Sequence, residues 1–231
     1  MKIIGMIGGI GPESTIDYYK RLLDGAQKRN PDGPAPSIII NSIDLQKGLD
    51  LLGANKLNEL TEYVVPEVMR LKGAGAEFGF LAANSPHIVF GDIARRSPIP
   101  LVSIVEATCA EAKARGFTKL GLLGTRFTMH GRFYPDVCTR EGIELTVPTA
   151  EEQDYIHDKY INELIPGKFL PDTREGLLAI ARRLRDEEGI QALILGGTEL
   201  PLILTNESAL RIPFLDTTQI HVNAILETAM A

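Results

Sequence analysis

The chain has 231 residues and a formal net charge of −6, from 24 lysines and arginines against 30 aspartates and glutamates. Its 44% hydrophobic and 23% charged residues are typical of a globular protein and exclude a disordered or collagen-like chain. The acidic balance argues against a nucleic-acid partner, because the phosphate backbone would repel the chain on average. We find neither a secretory signal nor an apolar run near the roughly 18 residues of a membrane helix, so we expect no membrane partner. The presence of only two cysteines in this context predicts a cytoplasmic protein.

Short apolar runs rich in β-forming residues alternate with helical patterns along the chain. This alternation is typical of a parallel α/β sheet whose two faces are covered by helices. The seven predicted strands are 2–7, 37–43, 78–83, 100–104, 120–123, 143–147 and 191–195.

Two of the intervening segments carry clear helical periodicity. Apolar residues recur at helical spacing from Leu57 to Leu71, and Pro66 inside this segment is expected to bend or divide the helix. A second such segment begins at Leu177, and Gly189 is its predicted C-cap.

The two halves of the chain resemble each other. The string IGMIG at 4–8 matches LGLLG at 120–124, an offset of 116, and FLAANS at 80–85 matches ILGGTE at 194–199, an offset of 114. Short strings of this kind can recur by chance, but the shared spacing favours two similar α/β units. Ligands bind beyond the carboxyl ends of strands in such sheets, so the pattern predicts a cleft onto which four loops converge.

The loop after the first strand is a candidate binding loop. Its Gly9-x-Gly11-x-x-Ser14 spacing imitates a dinucleotide fingerprint, but Glu13 places a carboxylate where a pyrophosphate would lie, so we reject a dinucleotide site. The backbone at Gly9 and Gly11 can still approach a small anionic ligand closely.

Polar residues follow both strands of the second matched pair of strings. Asn84 and Ser85 come after one strand, and Thr198 and Glu199 come after the other. Amides and hydroxyls can donate hydrogen bonds to a carboxylate ligand without burying another charge. Ordinary helix caps use the same residue types, but two related loops favour a site.

Other catalytic chemistries find little support in the sequence. The four histidines lack metal-ligand spacing, so we expect no metal site. The two cysteines, Cys109 and Cys138, fall in helical patterns, form no disulfide framework and are interpreted as packing residues rather than nucleophiles.

Together these residues resemble the aspartate/glutamate racemase family of cofactor-independent amino-acid racemases, over essentially the whole chain. The motifs that carry the resemblance are IGGIGPEST at 7–15 with Tyr18 and Tyr19, ANSPH at 83–87, GTRFTM at 124–129, LGGTE at 195–199 and DTTQIH at 216–221.

The resemblance implies two pseudo-symmetric Rossmann-like α/β domains with mostly parallel sheets and an interdomain cleft, in a homodimer without a cofactor. The implied domains are 1–101 plus 213–231 and 102–212. The implied ligand is an amino acid or dicarboxylate, and its carboxylates would be held by Asn84, Ser85, Thr125 and Thr198. Lys168 corresponds to a lysine that some members use for the distal carboxylate.

The chain departs from the family at the catalytic positions. Typical members carry one cysteine just before the Asn of the first motif and another just before the Thr-Glu of the second, and these move the α-proton on opposite faces. Here the two positions are Ala83 and Gly197, and neither Cys109 nor Cys138 replaces them.

Several hypotheses remain open at this point. The first is a racemase or epimerase that has replaced its thiols, with His87, Glu13 or Glu199 as its acid or base. Each of these has a structural alternative, as a helix N-terminal carboxylate for the two glutamates and as a cap or core residue for the histidine. The second hypothesis is a carboxylate-binding or amino-acid-binding relative without turnover, or with altered chemistry. The third is an engineered double substitution of the cysteines.

Overall fold

A computed structural model describes residues 1–205 and 210–231 of the chain. It divides into two compact units, the first formed by Met1–Ile104 with His221–Ala231 and the second by Val105–Ile220. The bounds predicted from the sequence were 1–101 plus 213–231 and 102–212. The predicted cleft and homodimer stay predictions.

The helices and strands alternate through both units. In chain order they are β1 Ile4–Gly8, α1 Pro12–Arg29, β2 Ile38–Ser42, α2 Leu45–Gly53, α3 Leu57–Gly73, β3 Phe78–Leu81, a 3₁₀ turn Ser85–Val89, α4 Phe90–Arg96, β4 Leu101–Val102, α5 Ile104–Ala114, β5 Lys119–Gly124, α6 Arg126–His130, α7 Phe133–Arg140, β6 Glu144–Thr146, α8 Ala150–Lys159, a π-helical turn Tyr160–Leu164, α9 Pro171–Glu188, β7 Ala192–Gly196, α10 Leu200–Ile203, β8 Phe214–Asp216 and α11 Thr217–Met230.

Each unit contains a four-stranded parallel sheet, ordered β2-β1-β3-β4 in the first and β6-β5-β7-β8 in the second. The central strands are buried on both faces, as their continuous apolar runs predict. The strand register repeats as well. Ile7 pairs with Leu81 in the first sheet, and their counterparts Leu123 and Leu195 pair in the second. The predicted α/β fold and its internal repeat are confirmed.

The core of the first unit lies between its sheet and two helices. Helix α1 buries Tyr18, Leu22 and Ala26 at four-residue spacing, and they pack with Val222 and Leu226 from α11. Each large apolar side chain buried in this way contributes about 1.5–3 kcal/mol. The packing fixes the start of α1, where the first candidate loop lies.

The core of the second unit is built around α9. This helix buries Leu177, Ala181 and Leu184 in the cluster that also contains Leu123 and Leu195 of the sheet. The helix ends as predicted at Gly189, which has a left-handed backbone with φ 69°.

Two expectations about single elements are settled differently by the structure. Of the two outcomes expected at Pro66, division of the helix is excluded, since α3 runs unbroken from Leu57 to Gly73, and a bend stays a prediction. Proline removes one backbone donor, and the buried face that includes Leu60, Val64 and Val68 holds the helix together across it. The sequence reading also missed β8, a strand of three residues.

No helix within residues 1–205 and 210–231 combines the length and the apolar character needed to cross a membrane.

Candidate functional site

The loop after β1 is folded tightly onto the first turn of α1. Gly9 is buried with φ 79°, and a Cβ atom there would lie 2.4 Å from the carbonyl oxygen of Ile43. Its amide donates to Thr15 Oγ1 at 2.8 Å, and that hydroxyl donates to the carbonyl of Gly11 at 3.1 Å. Only glycine fits at residue 9, because the backbone of Ile43 lies close to it. The predicted approach of Gly9 and Gly11 to an anionic ligand stays a prediction.

Glu13 lies in the first turn of α1 and is exposed. A carboxylate there stabilises the helix through its dipole. The geometry therefore favours the structural role among the two that the sequence left open for Glu13.

The loop after β3 lies beside the start of α1. Ser14 Oγ donates to the carbonyl of Ala82 at 2.9 Å, which joins the two segments. Ala83 and Asn84 are buried, and Ser85 is partly exposed at the start of the 3₁₀ turn. The structure thus places Asn84 and Ser85 at the carboxyl end of the sheet, where the sequence predicted a ligand.

His87 is buried under this loop with both ring nitrogens engaged. The carbonyl of Ala83 lies 3.0 Å from Nδ1 and can only accept, so Nδ1 carries the proton and Nε2 accepts from the amide of Ile104 at 3.3 Å. The ring stacks on Phe90 at 4.7 Å. Burial lowers the pKa of His87 to about 4, so the ring is neutral at pH 7. These contacts favour a structural role over that of an acid or base.

A second buried histidine supports the same sheet. His221 Nε2 donates to the carbonyl of Val102 at 3.1 Å, and Nδ1 accepts from the hydroxyl of Tyr18 at 2.8 Å. Burial, and then the neighbouring His87, lower the pKa of His221 to about 3. His221 therefore serves the core of the first unit.

In the second unit, β5 ends where Thr125 caps α6. Thr125 is buried, and its hydroxyl accepts from the amide of Thr128 at 3.3 Å. Thr125 in the second unit and Gly9 in the first unit occupy equivalent places, since each comes directly after the glycine that ends its matched string. Thr125 therefore lies at the carboxyl end of its sheet, as the predicted substrate contact requires.

Glu199 is the buried acidic side chain of the loop that follows β7, with 2% of it exposed. Although Glu199 is the N-cap of α10, its side chain makes no cap hydrogen bond. Instead Oε2 accepts from the hydroxyl of Thr198 at 3.0 Å and from the hydroxyl of Tyr160. The helix-cap alternative for Glu199 does not describe this arrangement.

Tyr160 also explains why residue 197 is a glycine. An ideal Cβ atom on Gly197 would lie 2.5 Å from both Cε2 and the hydroxyl oxygen of Tyr160. Gly197 is not among the glycines with a positive φ, so its backbone would accept a side chain. The space for that side chain is occupied by the Tyr160 phenol.

Tyr160 is a site residue that the sequence did not indicate. It is the first residue of the π-helical turn that continues α8, and it is buried with Ile156 and Leu164. Their four-residue spacing is a helical signal that places Tyr160 on a buried face, but nothing in that spacing indicates contact with Gly197.

Lys168 is exposed and follows Gly167, whose φ is 76°. Its amide donates to the carbonyl of Glu163 at 2.8 Å. Among the residues that the structure describes, no contact joins the Lys168 side chain to Glu199. The role of Lys168 toward a distal carboxylate therefore stays a prediction.

The two cysteines lie together on neighbouring helices. Cys109 in α5 and Cys138 in α7 are fully buried, and their sulfur atoms are 3.2 Å apart. The hydrogen bond with Cys138, together with burial, raises the pKa of the Cys109 thiol, so it is not a thiolate at pH 7. Their interpretation as packing residues agrees with this placement.

Fold and site together define an α/β protein of two similar units whose strand ends present hydroxyl, amide and carboxylate groups. The family model of the Asp/Glu/Hydantoin racemases matches residues 7–225, and the chain belongs to that family. The resemblance inferred from the motifs is confirmed.

Similar proteins share the fold along their full length. A structure from Yersinia pestis, of a protein proposed to be an Asp/Glu racemase, is 31% identical over 100% of both chains with a TM-score of 0.90. An aspartate racemase homologue from Pyrococcus horikoshii is 33% identical over 100% of both chains with a TM-score of 0.85. The broad specificity amino-acid racemase RacX of Bacillus subtilis is 24% identical over 99% of both chains. These relatives agree with the expectation of an amino-acid racemase, an isomerase, as the class of the chain.

Proposed function

We propose that the chain is an amino-acid racemase or epimerase of the aspartate/glutamate type that transfers the α-proton without a cofactor and uses Glu199 as the base. The observation that carries the proposal is the burial of the Glu199 carboxylate among hydroxyl donors, two residues after the position of the missing thiol. A buried carboxylate can remove a proton next to a carbonyl group when it is held in place. Glu13 is exposed, and both ring nitrogens of His87 are already hydrogen-bonded. Neither residue therefore offers a buried carboxylate held by hydroxyl donors.

The remaining strand-end residues supply the substrate contacts in this proposal. Asn84, Ser85, Thr125 and Thr198 are hydrogen-bonding side chains at strand ends, suited to the carboxylates of an amino acid or dicarboxylate. We further propose a cytoplasmic homodimer, in keeping with the composition and the family resemblance.

The test is α-proton exchange in D₂O, followed by proton NMR. The substrates are both enantiomers of aspartate and glutamate and, because RacX is named a broad specificity racemase, a panel of neutral and basic amino acids. We expect deuterium at the α-carbon and loss of optical purity for at least one amino acid.

The Glu199→Gln variant keeps the size of the side chain and removes the base. It should lose about 10²-fold to 10⁴-fold in the exchange rate, the contribution typical of a general base. The matched control is Glu175→Gln on the exposed face of α9, which should leave the rate unchanged. Full exchange activity in Glu199→Gln would contradict the assignment of the base.

A binding protein without turnover is the second candidate, because Ala83 has no ionisable group and the space at Gly197 is occupied. It predicts that aspartate or glutamate raises the melting temperature while no exchange occurs with any amino acid. The same samples therefore distinguish the two functions.

A further inference from the structure

The space that a side chain at residue 197 would occupy holds the phenol of Tyr160. Three atoms of Tyr160 lie within 2.8 Å of an ideal Cβ on Gly197, and the hydroxyl oxygen is among them. A polar group is therefore present in the place where family members carry a thiol, although it comes from a different segment of the chain.

The hydroxyl of Tyr160 is hydrogen-bonded to both the side chain and the amide of Glu199. It donates to Glu199 Oε2 and accepts from the amide of Glu199 at 3.3 Å. Thr198 donates to the same carboxylate oxygen at 3.0 Å, so two hydroxyl groups hold Oε2. The ring of Tyr160 alone would fill the space beside Gly197. The hydrogen bonds of its hydroxyl are therefore not needed for packing.

The protonation state agrees with a donor role for the phenol. Burial, and then the negative charge of Glu199, raise the pKa of Tyr160 well above its usual value. Tyr160 therefore stays protonated across the neutral range and donates to the carboxylate.

Tyr160 lies where α8 passes into a π-helical turn. Tyr160 begins a π-helical turn at the end of α8, and single π turns inside helical segments are frequent at functional sites. From this position the Tyr160 side chain reaches the loop after β7, where it contacts Gly197 and Glu199.

We infer that Tyr160 is a positioning residue for α-proton transfer, whose hydroxyl takes the place of a side chain at residue 197 and holds Glu199 as the proton acceptor. The inference rests on the proposed function. In the reaction, the α C–H bond breaks, its electron pair remains on the substrate, and the proton passes to the carboxylate of Glu199. A proton from solvent then forms the new α C–H bond on the opposite face, and Glu199 releases its proton to solvent. Tyr160 keeps its own proton throughout and is neither consumed nor oxidised.

The experiment compares Tyr160→Phe with the wild-type chain in the D₂O exchange assay. Phenylalanine keeps the ring above Gly197 and removes only the hydroxyl. We expect kcat to fall on the order of 10²-fold, as loss of orientation at a reacting centre does, with KM close to the wild-type value. The acidic limb of the kcat/KM profile should move to higher pH, because a lost donor disfavours the ionised carboxylate.

Two controls separate this role from simple packing. Tyr155→Phe removes a hydroxyl from α8 itself and should leave both kcat and the pH profile unchanged. Incorporation of 3-fluorotyrosine at residue 160 restores the hydroxyl as a stronger donor. It should restore exchange and move the acidic limb to lower pH, and it keeps the test valid if Tyr160→Phe does not fold.

The outcomes are distinguishable from those of the proposed function. If the wild-type chain exchanges the α-proton and Tyr160→Phe matches it in kcat and pH profile, the inference about Tyr160 is overturned and Glu199 can still be the base. If the wild-type chain exchanges no amino acid, the proposed function is overturned and the role of Tyr160 with it.

Discussion

A single methyl group at residue 197 should measure how firmly Tyr160 is held. In Gly197→Ala the new Cβ lies 2.5 Å from two atoms of Tyr160, whereas an ordinary contact of this kind is 3.4–4 Å. Either the backbone at residue 197 or the side chain of Tyr160 must shift by about 1 Å. Tyr160 is 3% exposed and bonded to Glu199, so it has little freedom to move aside.

The expected loss of stability follows from these contacts. Overpacking a well-packed core costs about 1–3 kcal/mol, and the two short contacts place this site near the upper value. Replacing glycine with alanine where φ is not positive returns about 0.4–1 kcal/mol through the unfolded chain. The net loss is therefore about 2 kcal/mol, or a melting temperature lower by about 4–8 °C for a chain of this size.

The assay is urea unfolding followed by far-ultraviolet circular dichroism, because the chain has no tryptophan. The matched control is Gly73→Ala in α3, where a Cβ atom meets nothing within 4 Å and stability should stay equal or rise slightly. Repeating Gly197→Ala in a Tyr160→Ala background removes the contact. There the methyl group should no longer destabilise the chain. Equal losses in the two backgrounds would refute the reasoning, since the loss would then not come from Tyr160.

Two further predictions concern buried titratable groups. His87 and His221 are neutral in the fold with pKa values of about 4 and about 3, whereas an unfolded chain takes up these protons near pH 6.5. Their stabilisation is complete above pH 6.5 and is lost as the pH falls towards the folded values. The free energy of unfolding should drop by about 3 kcal/mol for His87 alone, and a His87→Gln variant that unfolds with the same pH slope would contradict this. Cys109 and Cys138 are buried, so a thiol-specific reagent should label neither in the native chain and both in urea; rapid native labelling would show that the helices open readily.

Most of the sheet architecture could be predicted from the sequence. Buried parallel strands need long apolar runs, and the repeated strings at offsets of 116 and 114 located the central strands of both sheets and their pairing. The same offset of 114 carries the predicted strand at 100–104 to 214–218, which overlaps the missed β8. That strand was overlooked because its three residues make too short an apolar run to stand out without the repeat.

The candidate site was less predictable because it depends on side-chain direction. Strand ends placed Asn84 and Thr198 correctly, since position at the end of a strand follows from the backbone alone. Whether Glu199 caps α10 or turns to Tyr160 depends on packing between residues 39 positions apart. The sequence likewise marked Gly197 only as a missing cysteine, whereas the structure gives the glycine a steric reason.

That steric reason links the loss of the thiol to the presence of Tyr160. A cysteine at residue 197 begins with the same Cβ atom that Tyr160 excludes, so the tyrosine and the thiol are alternatives at one place. The buried Ala83 already has a Cβ atom and needs only a sulfur to become a cysteine. A return to the thiol pair of the family therefore requires three changes, Ala83→Cys, Gly197→Cys and a shorter side chain at Tyr160. With Tyr160 intact the pair of cysteines would strain the loop that holds Glu199, and failure of that double variant would say nothing about the substrate.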